Sequence, residues 1–153
     1  KTTAEILSSV LGYQLVEQEG NRYRYQTSRG DYANIVDLLE EPDAPKGKNA
    51  GGTNHHVAFR AKDDKQQMAM REKVAEKGLY ITKKINRDYF YSLYFREPGG
   101  VLFEIATDHP GFLIDETEEE LGRSLQLPDR YEPYREKIEN ALPKLDVSKE
   151  SYA

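Results

Sequence analysis

The chain has 153 residues, of which 22 are basic and 27 acidic, enough for one ordinary domain or for two small modules that share a core. Its net charge of −5 gives no electrostatic reason to expect a nucleic-acid partner. The absence of cysteine excludes disulfides, thiolate zinc sites and cysteine nucleophiles, so any bound metal must use His, Asp, Glu or water. No apolar run approaches the ~20 residues of a membrane span, and we expect a cytoplasmic protein without a membrane partner.

The first part of the chain is predicted to form a helix followed by three strands. Apolar residues recur with the period of a helix between Ile6 and Leu11, and the alternation in Tyr23-Arg24-Tyr25 is typical of a strand. The predicted elements are a helix over Thr2–Leu11 and strands near Gln14–Glu17, Tyr23–Thr27 and Asn34–Leu39.

The middle of the chain repeats this order behind one additional strand. The additional strand is His55–Arg60, and a weak apolar stripe through Met70 and Val74 indicates the helix after it. The predicted elements after that strand are a helix over Lys65–Glu76 and strands near Tyr80–Lys84, Phe90–Arg96 and Val101–Ala106.

An internal repeat with an offset of 67 residues relates these two parts. It places Asp31–Leu39 on Pro98–Ala106 without a gap, so that Asp37 corresponds to Glu104. Each part therefore reads as a βαβββ module. We predict an α+β fold in which two modules form a curved mixed sheet, followed by a C-terminal helical tail.

One strand has no counterpart in this repeat. The position that would match His55–Arg60 falls upstream of Lys1, and Lys1 itself corresponds to Met68, inside the predicted helix of the second module. Because an edge left unpaired there must be covered, we expect the first module to lack its opening strand and the chain to be a fragment of a longer protein.

Composition marks the boundaries between the segments. Pro, Gly and charged residues dominate 42–52, as in a linker, and a turn over His109–Phe112 precedes a tail with a short amphipathic helix, Tyr131–Leu142. The predicted organisation is an incomplete first module over 1–41, the linker 42–52, a second module over 53–108 and a C-terminal extension over 109–153.

An imidazole and a carboxylate occur on two separate apolar strands of the second module. His55 and His56 precede Val-Ala-Phe, and Glu104 lies within Val101–Ala106. A charged glutamate on a burial-prone strand is unfavourable unless a cation meets it, and a divalent metal held by His and Glu would meet that requirement. The pair therefore predicts part of a metal site.

The His-His-Val-Ala-Phe strand, the Glu-Pro-Gly-Gly turn before Phe-Glu-Ile-Ala-Thr-Asp, and the paired modules resemble the vicinal oxygen chelate superfamily. This group includes glyoxalase I, bleomycin-resistance proteins and type I extradiol dioxygenases, and the resemblance covers residues 1 to about 108. The run Tyr89–Gly100, followed by Phe103–Asp108 and Pro110–Phe112, is similar to ring-cleaving dioxygenases that act on hydroquinones. Those enzymes have roughly twice this length and four such modules, so the resemblance implies that this chain is their C-terminal half.

The resemblance implies roles for three residues. His56 matches the superfamily's metal-binding histidine, while strand alternation would place His55 on the opposite face. Glu104 matches the carboxylate ligand. Tyr94 stands ten residues before Glu104, where extradiol enzymes place a tyrosine that hydrogen-bonds the substrate oxygen. The remaining histidine ligand has no match and is expected from the missing N-terminal part, so the fragment alone is expected to be inactive.

The implied function is an Fe(II)-dependent dioxygenase that cleaves a small hydroquinone- or catechol-like aromatic diol with O2. Two His and one carboxylate on one face of the metal leave room for both the diol and dioxygen, and Mn(II) and Zn(II) are the alternative metals. We also expect a homodimer, because the fragment would leave apolar sheet surface uncovered. A glyoxalase-like lyase or isomerase and a non-enzymatic ligand-binding protein of the bleomycin-resistance kind remain alternatives.

The candidate residues also have ordinary structural interpretations. Glu104 could form an ion pair with Arg60 or Arg96, and Tyr94 could be a packing residue of a half-buried strand. Asp37 could be a vestigial ligand position or simply a polar strand residue.

Overall fold

The structure is a computed structural model and describes residues 2–28, 33–45 and 47–144. Two parts of the predicted pattern lie outside the described residues: the start of the repeat stretch, Asp31 and Tyr32, and the end of the C-terminal extension, 145–153. Contacts divide the chain into two compact units, Lys1–His109 and Pro110–Ala153.

The first unit contains helices and strands in the predicted order. They are α1 (Thr3–Ser9), β1 (Gln14–Glu19), β2 (Arg22–Gln26), β3 (Ile35–Leu39), β4 (Val57–Ala61), α2 (Asp64–Glu76), β5 (Ile85–Asn86), β6 (Tyr91–Arg96) and β7 (Leu102–Thr107). The predicted fold class is confirmed, and hydrogen bonds divide these strands between a three-stranded and a four-stranded sheet.

The first module consists of α1 and an antiparallel sheet in the order β1-β2-β3. The helix begins with a reciprocal capping box, in which the Thr2 hydroxyl accepts from the Glu5 backbone and the Glu5 carboxylate accepts from the Thr2 backbone. It ends before Gly12, whose φ of 79° lets the chain turn into β1.

The second module has the sheet order β4-β7-β6-β5, in which β4 and β7 are parallel and the other pairs antiparallel. A parallel pair requires a crossover, and α2 supplies it. The Asp63 side chain caps α2 by accepting from the Gln66 backbone at 2.7 Å. This topology places β7 between β4 and β6, so Glu104 lies opposite Ala58 on one side and Tyr94 on the other.

One hydrophobic core joins the two modules. It contains Ile6 and Leu7 from α1 together with Phe59, Leu93 and Ile105 from the second sheet. Leu7, Leu93 and Ile105 are fully buried, and each such side chain contributes roughly 1.5–3 kcal/mol of burial free energy. The second sheet is therefore anchored in the buried core of this unit.

The strand predicted over Tyr80–Lys84 is wrong in its extent. Only an isolated bridge between Ile81 and Phe95 occurs there, and the regular pairing begins at Ile85. The Thr82 hydroxyl accepts the Tyr94 backbone N–H at 2.9 Å, so a side chain replaces the carbonyl that a regular ladder would use.

The second unit contains short helices. The helix predicted over Tyr131–Leu142 is divided into a 3-10 helix, Asp129–Tyr134, and an α-helix, α3 (Arg135–Ala141). Pro133 lies inside the 3-10 segment and has no N–H to donate, so an α-helix is not continuous through it. Across the described part of the chain, no helix has the length and apolar character needed to cross a membrane.

Candidate metal centre

Glu104 is a buried carboxylate on the central strand of the second sheet. It is 3% exposed, and its neighbours on β7, Phe103 and Ile105, are buried core residues. An ionised carboxylate in such a place needs cationic or hydrogen-bonding partners. The groups that meet its two oxygens therefore decide what this site can do.

His56 meets one of these oxygens. It lies directly before β4, and its Nε2 is 2.7 Å from Glu104 Oε2. The arginines considered as alternative partners are engaged elsewhere, because Arg60 pairs with Asp108 at 3.0 Å and Arg96 donates to the Gly100 carbonyl at 2.9 Å. The imidazole and carboxylate that the sequence singled out are thus in direct contact.

Two hydroxyl groups meet the other oxygen. Ser92 Oγ donates to Glu104 Oε1, and the Tyr94 hydroxyl donates to the same oxygen at 2.8 Å. Ser92 and Tyr94 are two residues apart on β6 and so share the face that Glu104 presents from β7. Tyr94 also contacts the His56 ring edge to face, with centroids 5.7 Å apart.

His55 lies beside His56, which differs from the predicted opposite face. The two Nδ1 atoms are 2.9 Å apart, and the rings meet edge to face with centroids at 5.2 Å. Strand alternation does not apply here because β4 begins only at Val57. If His56 Nε2 is a ligand, its Nδ1–H is a donor, and His55 Nδ1 is placed to accept it.

The donor set fits two adjacent ligands of a divalent metal. Two ligands at right angles, each about 2.1 Å from a metal, lie about 3.0 Å apart. The 2.7 Å between His56 Nε2 and Glu104 Oε2 is close to that separation. Within the described residues, no group of three or more His, Cys, Asp or Glu side chains comes together, so His56 and Glu104 alone are an incomplete ligand set.

Comparison with protein-family models matches residues 1–105 to the Glyoxalase/Bleomycin resistance protein/Dioxygenase superfamily. The chain belongs to this superfamily. The match includes the first module, the second module as far as Ile105, and the site residues His56, Ser92, Tyr94 and Glu104.

Two proteins and one crystal structure are similar to this superfamily member over most of its length. MhqO of Bacillus subtilis (strain 168), provisionally named a ring-cleaving dioxygenase, is 44% identical over 95% of this chain and 46% of its own length. The chlorohydroquinone/hydroquinone 1,2-dioxygenase of Sphingobium indicum is 34% identical over 79% of this chain and 38% of its own length. A crystal structure of a provisionally named dioxygenase from Bacillus subtilis has a TM-score of 0.88 at 43% identity, over 95% of this chain and 46% of that one. The superfamily member thus spans about half the length of the relatives it matches.

The first module of this superfamily member has a different arrangement at the repeat counterpart of Glu104. Asp37 lies opposite Arg24, as Glu104 lies opposite Tyr94. The Arg24 guanidinium forms two hydrogen bonds with Asp37, at 2.8 and 2.9 Å, and Arg22 contacts the same carboxylate at 3.3 Å. The Arg24 hydrogen bond is the main cause that lowers the pKa of Asp37 below its ordinary value. Two guanidinium groups thus contact this carboxylate, in the place where Glu104 meets hydroxyl groups and an imidazole.

Sequence reasoning missed two residues that contact the site, Ser92 beside Glu104 and Arg87 beside Tyr94. Ser92 gave no signal except its position two residues before Tyr94. Arg87 places its guanidinium carbon 5.3 Å from the centre of the Tyr94 ring, a cation–π contact between residues seven positions apart. The loop between β5 and β6 brings Arg87 there, and no periodic pattern marks it.

Proposed function

We propose that this chain forms part of a metal-dependent ring-cleaving dioxygenase that opens hydroquinone- or catechol-like aromatics with O2. The observation that carries the proposal is the 2.7 Å contact between His56 Nε2 and Glu104 Oε2 on a buried central strand. The dioxygenase names of MhqO and of the Sphingobium indicum hydroquinone enzyme support the reaction and the substrate class.

His56 and Glu104 are proposed as two metal ligands, and the third is proposed to come from a part of the longer protein outside this chain. Fe(II) would supply a Lewis acid and a path for electrons between the aromatic diol and dioxygen. The His56–Glu104 contact is a hydrogen bond, whereas a metal ligand needs a free lone pair on Nε2. A bound metal would therefore take the place of the hydrogen atom between these two side chains.

Tyr94 is proposed to hydrogen-bond the substrate oxygen. Its hydroxyl is partly buried, donates to Glu104 Oε1 at 2.8 Å and packs against the His56 ring. With its own proton directed at the carboxylate, the phenol oxygen can accept the proton of a substrate hydroxyl. Tyr94 would then relay protons between the diol and Glu104.

The proposal is tested by O2 consumption of the full-length protein containing this chain, loaded with Fe(II) and given a substituted hydroquinone. We expect His56→Ala and Glu104→Ala each to abolish O2 uptake. His109→Ala is the matched control, because His109 contacts Asp64 at 3.2 Å and not the site, and it should retain activity.

Retained turnover in Glu104→Ala would refute the assignment. Binding of the hydroquinone without O2 uptake by the Fe(II)-loaded wild type would instead indicate a ligand-binding protein of the bleomycin-resistance kind.

A further inference from the structure

We propose that Ser92 is a positioning residue that holds Glu104 so that only its Oε2 is available to a metal. This inference rests on the proposed function, because it concerns how the carboxylate of the same site is presented. The Ser92 hydroxyl contacts the Glu104 carboxylate, but Ser92 is not proposed as a metal ligand.

Ser92 lies on the strand next to the one that carries Glu104. Ser92 is fully buried on β6 and pairs with Ala106 on β7, two residues beyond Glu104. Because side chains two apart on a strand share a face, Ser92 reaches Glu104 diagonally across the strand pair. Its hydroxyl donates to Glu104 Oε1.

The two oxygens of the Glu104 carboxylate have different partners. A carboxylate oxygen has two lone pairs. Both donors on Oε1, the Ser92 hydroxyl and the Tyr94 hydroxyl, lie on the β6 side, whereas Oε2 faces His56. A carboxylate with both oxygens free can bind a metal through either or both of them, and the two hydroxyls prevent that by occupying Oε1.

Ser92 and Tyr94 differ in their exposure. Tyr94 is partly exposed, and in the proposed relay it passes its proton to Oε1 and so ceases to be a donor there. Ser92 is fully buried, so its hydroxyl is not exposed to solvent. Ser92 therefore provides the donor that stays on Oε1 when Tyr94 is engaged, and it keeps the carboxylate in a single orientation.

The two strands that carry Ser92 and Glu104 are connected by a buried side chain of α2. The Gln67 amide nitrogen on α2 donates to the carbonyl of Tyr91, next to Ser92, at 2.7 Å and to the carbonyl of Ile105, next to Glu104, at 2.9 Å. This buried bridge fixes the two strands relative to each other beneath the site. The Ser92–Glu104 contact is thus built on backbone that is itself held by the core.

The test measures anaerobic binding of Co(II), added alone, to the full-length protein and to Ser92→Ala. Groups that orient metal ligands typically change metal affinity 10–100-fold when they are removed. We expect Ser92→Ala to bind Co(II) about 10–100-fold more weakly and to show an altered visible d–d spectrum, since that spectrum reports the number and arrangement of ligands. Ser92→Thr, which restores the hydroxyl, should recover the wild-type spectrum.

The matched control is Thr107→Ala. Thr107 is a buried hydroxyl residue of β7 that accepts from the Tyr91 backbone and donates to the His109 carbonyl, without contact to Glu104. It should bind Co(II) with wild-type affinity and spectrum. If Ser92→Ala does not fold, Ser92→Cys takes its place, because it keeps nearly the same size but replaces the hydroxyl by a weak donor, and it should change the spectrum in the same direction.

The inference is overturned if folded Ser92→Ala, or Ser92→Cys in its place, matches Thr107→Ala in both Co(II) affinity and spectrum. Failure of the proposed function gives a different result, in which Glu104→Ala itself leaves Co(II) binding unchanged.

Discussion

Glu97 provides a stringent test of how the second sheet is held, because it is a buried carboxylate in the turn between β6 and β7. It is 3% exposed and accepts three hydrogen bonds. One comes from Thr3 Oγ1 on α1, one from the Gly99 backbone at 2.8 Å and one from the Val101 backbone at 2.7 Å. Glu97 thereby connects the first module to the hairpin whose strands carry Ser92 and Glu104.

The substitution Glu97→Gln keeps the size of this side chain and replaces one acceptor oxygen by an NH2 group. In either orientation of the amide, at least one backbone N–H, from Gly99 or Val101, faces a donor and loses its partner. A hydrogen bond to a charged group is worth about 1.5–3 kcal/mol, and a buried unsatisfied N–H adds a similar penalty. We expect the free energy of unfolding to fall by about 2–3 kcal/mol, which corresponds to a decrease of about 4–12 °C in Tm for a chain of this size.

The assay is urea unfolding followed by circular dichroism, with Tm as an independent check. Glu72→Gln is the control, because Glu72 is an exposed residue of α2 and its substitution should change stability by less than about 0.5 kcal/mol. If Glu97→Gln unfolds at the same urea concentration as Glu72→Gln, the buried carboxylate does not stabilise the hairpin and the reasoning is refuted.

Three further predictions concern charge, catalysis and association. The Arg24 hydrogen bond holds the pKa of Asp37 below its ordinary value. Asp37 therefore stabilises the fold at neutral pH and loses this contribution as pH falls through the lowered pKa, so Asp37→Asn should flatten the loss of stability in acid when urea midpoints are measured against pH. Tyr94→Phe should lower kcat for a hydroquinone by about 100-fold in O2-uptake assays of the Fe(II)-loaded full-length protein, and an unchanged kcat would exclude proton relay by Tyr94. Leu15 and Ile35 of the first sheet are about half exposed, so the isolated chain should run as a dimer in light scattering, and a strict monomer would contradict the expected association.

The sequence was sufficient to predict the modules because their order depends on local periodicity and on an internal repeat. Ile6 and Leu7 form the buried stripe of α1, and the repeat placed Glu104 on a final strand. The extent of the strand after α2 was not predictable. The Tyr94 backbone N–H donates to the Thr82 hydroxyl instead of to a backbone carbonyl, and no residue pattern predicts that hydrogen bond.

The candidate site was predicted in its outline and not in its supporting contacts. Glu104 was recognisable because an acidic residue in an apolar strand needs a partner, and His56 is placed to meet it. Ser92 was not recognisable, because its role depends on the register that sets Tyr94 opposite Glu104 across two strands. Side-chain partners of this kind arise from pairing between distant segments, and a single serine in a strand carries no sign of them.

The most direct test of the account is anomalous diffraction at the iron edge from crystals of the full-length protein grown with Fe(II) under anaerobic conditions. We expect one strong peak about 2.0–2.2 Å from both His56 Nε2 and Glu104 Oε2, with the Ser92 and Tyr94 hydroxyls still hydrogen-bonded to Oε1. A peak bound by other residues, with the His56–Glu104 contact unchanged, would contradict it.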